Sequence, residues 1–307
     1  MTPQREAALG LASGLAVLLV FAGMLVVSRH GATATLTIWD MAGLRFGVGA
    51  LATAALLVWL RPARIGWRRS LALAFFSGAP YALCVFGGFT FAPVAHAGVI
   101  VNGAMPVFTA LIGWLAFREG IGGWRVAGVA LIVAGVALIV AGVALIGWDS
   151  LRFGEPGQWR GHVLFLVAAL SNAIFLAAVR GWRIGAAGML VAVMGWNALL
   201  YLPVWLLVLP SNLAAAPWRE IVLQGGYQGL VVATASAMLL TFAARTIGAT
   251  RQAAIMAGAP ALALLMAIPL LGEVPTPPAI GGVAVVTVGI LVTLGPRLLQ
   301  ARAEPAA

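Results

Sequence analysis

The chain has 307 residues and no lysine, a single cysteine, three histidines, three tyrosines and eight acids, so that only 8% of its residues are charged. The lone Cys84 lies in an apolar run, which excludes a disulfide framework and a cysteine-based metal site. His30, His96 and His162 stand 66 residues apart, there is no HExxH, and the acids do not pair near the membrane. No catalytic or metal-ligating constellation follows, so the chain is read as no enzyme, with neither metal nor cofactor. The formal net charge of +10 comes entirely from 18 arginines against eight acids. A basic balance can signal nucleic acid, but arginine concentrated in short loops is what orients helices during membrane insertion, so no nucleic-acid partner is expected.

What fills the space is apolar: 63% of the residues are hydrophobic and the mean hydropathy is +1.06, beyond what a soluble surface tolerates. Unbroken apolar runs also exclude a β-barrel, whose strands alternate over about ten residues. A helix needs about 20 apolar residues to cross a bilayer, and ten such stretches can be marked: 8–28, 36–60, 70–91, 94–117, 122–146, 161–180, 188–209, 220–244, 250–272 and 277–298. The start is read as a retained first helix, since no small-residue cleavage site follows a short apolar core. With the N-terminus inside, 13 arginines fall in inside segments and four outside, with Arg45 within the second stretch. Both termini are therefore expected in the cytoplasm.

The expected architecture is an all-α membrane protein of ten helices in two inverted five-helix repeats. Residues 1–147 form the first repeat, 148–160 a periplasmic connector, and 161–307 the second, inverted repeat with a short C-terminal tail. The duplication shows at one offset of 154 residues, where Ala95, Pro106, Leu111, Glu119, Gly128 and Gly135 match Ala249, Pro260, Leu265, Glu273, Gly282 and Gly289. The aliphatic identities count for little, but proline interrupts helices and glutamate is rare here, so a Pro followed thirteen residues later by a Glu in both halves carries weight. Separately, GVALIVA at 128–134 recurs at 135–141 and leads into GVALIG, aligning Gly128, Gly135 and Gly142 on one helix face as a close helix contact or a simple microduplication.

The segment from Ala95 through Pro106 to Glu119 and Gly128, its second copy, and Leu44-Arg45-Phe46 resemble the EamA family of the drug/metabolite transporter superfamily over nearly the whole chain. Within it the pattern is similar to YddG-type amino-acid exporters, although Phe21-Ala22-Gly23 departs from the Trp-Gly frequent in the first helix. The resemblance implies a multi-pass bacterial inner-membrane protein that binds a small-molecule substrate. It admits a homodimer, while five-plus-five spans suffice to close a pathway within one chain.

A polar group in hydrocarbon is costly, so polar positions within spans are expected to face a cavity or one another. The expected substrate cavity draws on Tyr81, His96, Asn102, Ser171, Asn172, Trp196, Asn197, Tyr201 and Ser236, with Tyr227, Gln228 and Thr241 as further polar positions. Aromatic rings beside amides and hydroxyls suit a neutral or zwitterionic solute with an apolar side chain, although Asn and Ser also bridge helices and Tyr and Trp also mark the interface. Pro106 and Pro260 are candidate hinges. Glu119 and Glu273 are read as structural charges, capping a neighbouring helix or pairing with arginine, and Arg45 as packed or snorkelling, with carboxylate binding as the other reading. No acid lies mid-span, and His96 alone remains to carry a proton. The expectation is a secondary transporter that exports amino acids, aromatic or otherwise apolar, by alternating access and down the solute's own gradient. Another metabolite or a lipophilic drug, with or without proton coupling, is the alternative; a membrane enzyme or structural subunit is more distant.

Overall fold

The computed structural model describes the backbone of residues 3–58, 62, 64–117 and 125–303, and every secondary element among them is helical. Among the described residues eight helical stretches are long and apolar enough to cross a membrane, with Val94–Thr109 a shorter apolar one, as a multi-pass membrane protein requires. Among the expected site residues, Glu119 lies outside the described residues.

Helix α1 (Pro3–Thr33) is followed by α2 (Ile38–Leu56), which begins at a capping box in which Thr37 accepts from the Asp40 amide and Asp40 accepts in return from the Thr37 amide. The third expected stretch is two helices, α3 (Trp67–Ser77) and α4 (Ala79–Phe91), broken at Gly78, where a Cβ would fall 2.1 Å from the Asn197 amide nitrogen. Then come α5 (Val94–Phe117), α6 (Arg125–Phe153), α7 (Gln158–Gly181) and α8 (Ala186–Leu207). The eighth expected stretch combines α9 (Trp218–Gln224), a π-helical segment (Gly225–Ala235) and α10 (Ser236–Thr246). The ninth is α11 (Ala249–Met256) and α12 (Ala259–Leu271), and α13 (Pro277–Ala303) closes the order.

Each irregularity has a structural cause. In the π segment a Cβ on Gly229 would lie 2.8 Å from the Gly49 nitrogen and 3.0 Å from the Arg45 carbonyl oxygen, so the segment can lie against the α2 backbone only as glycine. Pro260 falls in the first turn of α12, where the missing N–H costs nothing, and not mid-helix, whereas Pro106 lies inside α5. The expected connector 148–160 is mostly helical: α6 runs on to Phe153, Gly157 turns the chain at φ 89°, and α7 begins at Gln158. Asp149 is thereby an α6 residue, 3% exposed, with its carboxylate satisfied by His96 of α5 and by Thr276 between α12 and α13.

The most extensive helix pair is α6 with α13. The two run antiparallel, since a Cβ on Gly135 would sit 2.7 Å from the Gly289 oxygen and one on Gly142 would sit 2.9 Å from the Gly282 oxygen. The reverse approaches, from Gly289 to the Gly135 oxygen and from Gly282 to the Gly142 oxygen, are 2.8 and 3.0 Å. In lipid, where apolar burial gives no drive to associate, such backbone proximity is the main source of helix attraction. Elsewhere Phe46, Phe86, Phe89 and Phe165 are fully buried, while Leu151, Leu207 and Val274 are more than 80% exposed. That distribution fits a surface facing lipid. Arginines stack on tryptophans close to helix ends, Arg69 on Trp182 and Arg152 on Trp148, as expected at a membrane–water interface.

Candidate functional site

The turn between α12 and α13 and the ends of several neighbouring helices build a polar cluster at one end of the bundle. Gly272, at φ 69°, ends α12 and delivers Glu273 to the start of α5, where one carboxylate oxygen accepts the Val94 amide at 2.9 Å. Its other oxygen pairs with Arg29 Nε of α1 at 2.7 Å, and Arg29 also donates to the Phe89 carbonyl at the end of α4. A negative group at a helix N-terminus satisfies an orphan N–H and opposes the positive end of the dipole, so Glu273 joins α1, α4, α5 and the α12–α13 turn.

In the first turn of α5, His96 is 2% exposed. Its Nε2 lies 2.8 Å from an Asp149 carboxylate oxygen and its Nδ1 3.0 Å from His162 Nε2 of α7. Thr276, just before α13, donates its hydroxyl to the other Asp149 oxygen. Beside this chain lies a pocket of about 150 Å³ walled by Ala95, Leu264, Pro275 and Ala279, with His96, Asp149 and Glu273 on its polar side. Gln158 also faces it, and its buried side-chain oxygen has no hydrogen-bond partner. Among the described residues no group of three or more His, Cys, Asp or Glu could hold a metal ion.

A second polar string lies deeper. Arg45 donates to the Gln228 side-chain oxygen at 3.1 Å, and Gln228 donates to the Ser28 hydroxyl at 2.9 Å. The Arg45 Nε is buried without a partner, and among the described residues Arg45 forms no ion pair. Tyr81 is buried near this level of the fold, and Asn102 is half-buried on α5.

The other residues expected on the cavity bond mainly to neighbouring helices. The Asn197 oxygen accepts the Ala79 amide, and its nitrogen donates to the Ala74 and Val193 carbonyls, so it bridges the α3–α4 break with both amide hydrogens used. Trp196 donates to Ser70, Ser171 to the Phe76 carbonyl, Asn172 to the Met105 sulfur and Tyr201 to the Trp39 carbonyl. Ser236 and Thr241 bond back to the preceding turn of their own segment, and Tyr227 bonds to the Val20 carbonyl. Of the residues expected on a cavity, the pocket takes in His96 alone.

Sequence reasoning left out Arg29, Asp149, His162 and the Asp40 knot. Asp40 is fully buried and accepts from Trp205 Nε1 at 3.0 Å, the Asn212 amide at 2.9 Å and the Ser211 hydroxyl, fastening the loop after α8 to the start of α2. Gly43 makes this fit possible, since a Cβ there would fall 2.3 Å from the Trp205 ring. Thr37 followed three residues later by Asp40 was the one local signal, a helix start in which the acid stands where a capping box takes Glu or Gln. The others are joined across 53 to 244 positions, a separation with no periodic signature.

Residues 8–141 match the EamA-like transporter family. No curated protein matches the chain. A solved crystal structure of a protein without a stated function is 22% identical to it, covers 96% of this chain and 99% of its own, and superposes with a TM-score of 0.56. The two chains share a fold.

Proposed function

We propose that the whole chain is a secondary transporter of the EamA type that exports amino acids with aromatic or other apolar side chains across the bacterial inner membrane, by alternating access between two inverted halves. The observation that carries this reading is the match of residues 8–141 to a transporter family in a chain whose described residues are almost entirely apolar helices. The antiparallel meeting of Gly135 with Gly289, which occupy the same position in the two sequence copies, supports the inverted repeat. The arginine bias supports cytoplasmic termini, which would make the Glu273 end the periplasmic one.

Arg45 supports an amino-acid solute. A guanidinium bonded to a neutral amide, with a buried N–H left over, is short of an anion, and a substrate carboxylate would supply one. In this reading Pro106 lets α5 bend, the break between α11 and α12 just before Pro260 lets α12 tilt, and one chain is sufficient for the pathway.

The test is flux of radiolabelled leucine and phenylalanine in liposomes containing only the purified full chain. Saturable counterflow is the expected result. Its absence, together with resistance to lipophilic dyes in cells expressing the protein, would replace amino acids with the drug-export reading.

A further inference from the structure

Expectation of uncoupled export rested on the absence of an acid inside the spans, but Asp149 lies within α6, buried and bonded to His96. We infer that Asp149, His96 and His162 form a single-proton relay that joins the partly exposed edge of α7 to the pocket between α5, α6, α12 and α13, and couples export to proton movement. The inference rests on the transporter reading for the word export and on geometry for the relay.

The hydrogen bonds define how many protons the chain holds. Asp149 accepts from Thr276 and from His96 Nε2–H, which leaves His96 Nδ1 as a lone pair that accepts from His162 Nε2–H. The remaining lone pair, on His162 Nδ1, belongs to the residue that is only half-buried. In this form the assembly carries one negative charge, on Asp149. A proton that arrives at His162 Nδ1 makes that ring an imidazolium. It can then pass its Nε2 proton to His96 Nδ1, which moves the positive charge to the ring bonded to Asp149 and leaves the site neutral. A second proton has no position, because two imidazolium rings would direct N–H against N–H across 3.0 Å. The capacity of the pair is therefore one.

The remaining charged groups facing the relay are Arg29 of α1 and Glu273 of the α12–α13 turn. They pair with each other at 2.7 Å, so they neither supply nor remove net charge from it. His96 and Asp149 both line the pocket, and there the Gln158 oxygen waits without a donor. Loading the relay changes the charge of that wall from negative to neutral. Neither Arg45 nor Gln228 lines this pocket, so a solute enters it only on leaving Arg45; an ammonium group there and a proton on the relay then oppose each other, which is the antagonism an exchange of solute for proton needs.

The test counts protons on the solubilised full chain. Uptake between pH 8 and pH 3 is compared for wild type, His96→Gln, His162→Gln and the double variant, each checked for a single monodisperse species. A shared site predicts that each single variant takes up as many protons as wild type and the double variant one fewer. Two fewer in the double variant would mean independent histidines, and no difference would mean no proton site; either overturns the proposal. Ring-nitrogen NMR of wild type gives the same count without substitution, should the double variant fail to fold. In liposomes, an imposed pH gradient should drive uphill accumulation of radiolabelled leucine at least tenfold more in wild type than in the double variant. Equal accumulation with the one-proton difference intact would retain the site and reject coupling. Absence of leucine flux under every condition would reject the transporter reading and leave the proton count standing.

Discussion

Adding one methyl group to the seam between α6 and α13 should destabilise the protein, while the same change five residues outside the last glycine contact should not. At Gly135 a Cβ would sit 2.7 Å from both the Gly289 oxygen and the Thr293 amide nitrogen. Close carbon–oxygen contacts between helices run at about 3.3–3.6 Å, so the backbones must separate by roughly half an ångström or more. The Thr293 hydroxyl, nearer still, can turn away, but the Gly289 oxygen and the Thr293 nitrogen are main-chain and no rotamer change relieves them. Overpacking of this kind costs about 1–3 kcal/mol, while alanine in place of glycine within a helix returns about 1 kcal/mol. Gly147, on the same helix, has nothing within 4 Å of its missing Cβ. Gly147→Ala should therefore gain the propensity term without the steric one. The difference between the two variants isolates the seam, about 1–3 kcal/mol, and in a chain of this size corresponds to roughly 2–6 °C in thermal midpoint in the same detergent. Equal midpoints for Gly135→Ala and Gly147→Ala would refute close packing of α6 on α13.

Two further predictions come from the polar contacts. Asp40→Ala removes the acceptor shared by Trp205, Ser211 and the Asn212 amide and should cost roughly 2–4 kcal/mol in thermal or denaturant unfolding, whereas a loss under about 0.5 kcal/mol would show that water replaces the carboxylate. Arg45→Met should raise the KM for leucine about tenfold, equivalent to about 1.4 kcal/mol, and leave the KM for isoamylamine, which lacks the carboxylate, unchanged; an unaltered leucine KM would remove Arg45 from substrate recognition.

Much of the scaffold was readable in one dimension because lipid imposes a length and a composition on each crossing. The breaks inside crossings were not. Gly78, the π segment and the turn before Pro260 interrupt continuous apolar sequence, and each is stabilised by a distant group: Asn197 at the first, the α2 backbone at the second, and at the third Gly98, where a Cβ would lie 3.3 Å from Pro260 Cα. Glu273 stood out through scarcity and repetition, and His96 as a histidine at the start of a span. Asp149 was assigned to a connector because a Gly-Trp-Asp-Ser run next to Glu155-Pro156-Gly157 has the composition of a loop, whereas the helix continues through it and His96 and Thr276 satisfy its buried carboxylate.

From sequence alone come the membrane class, the arginine asymmetry and the recurring Pro and Glu, since composition and spacing express what the bilayer and a duplication demand of every span. Which polar groups meet was decided only in three dimensions. An intramembrane hydrogen bond has no sequence period, and a helix can carry a buried acid or an unpaired arginine only where the fold brings a partner, or leaves room for one, on a helix far away in the chain.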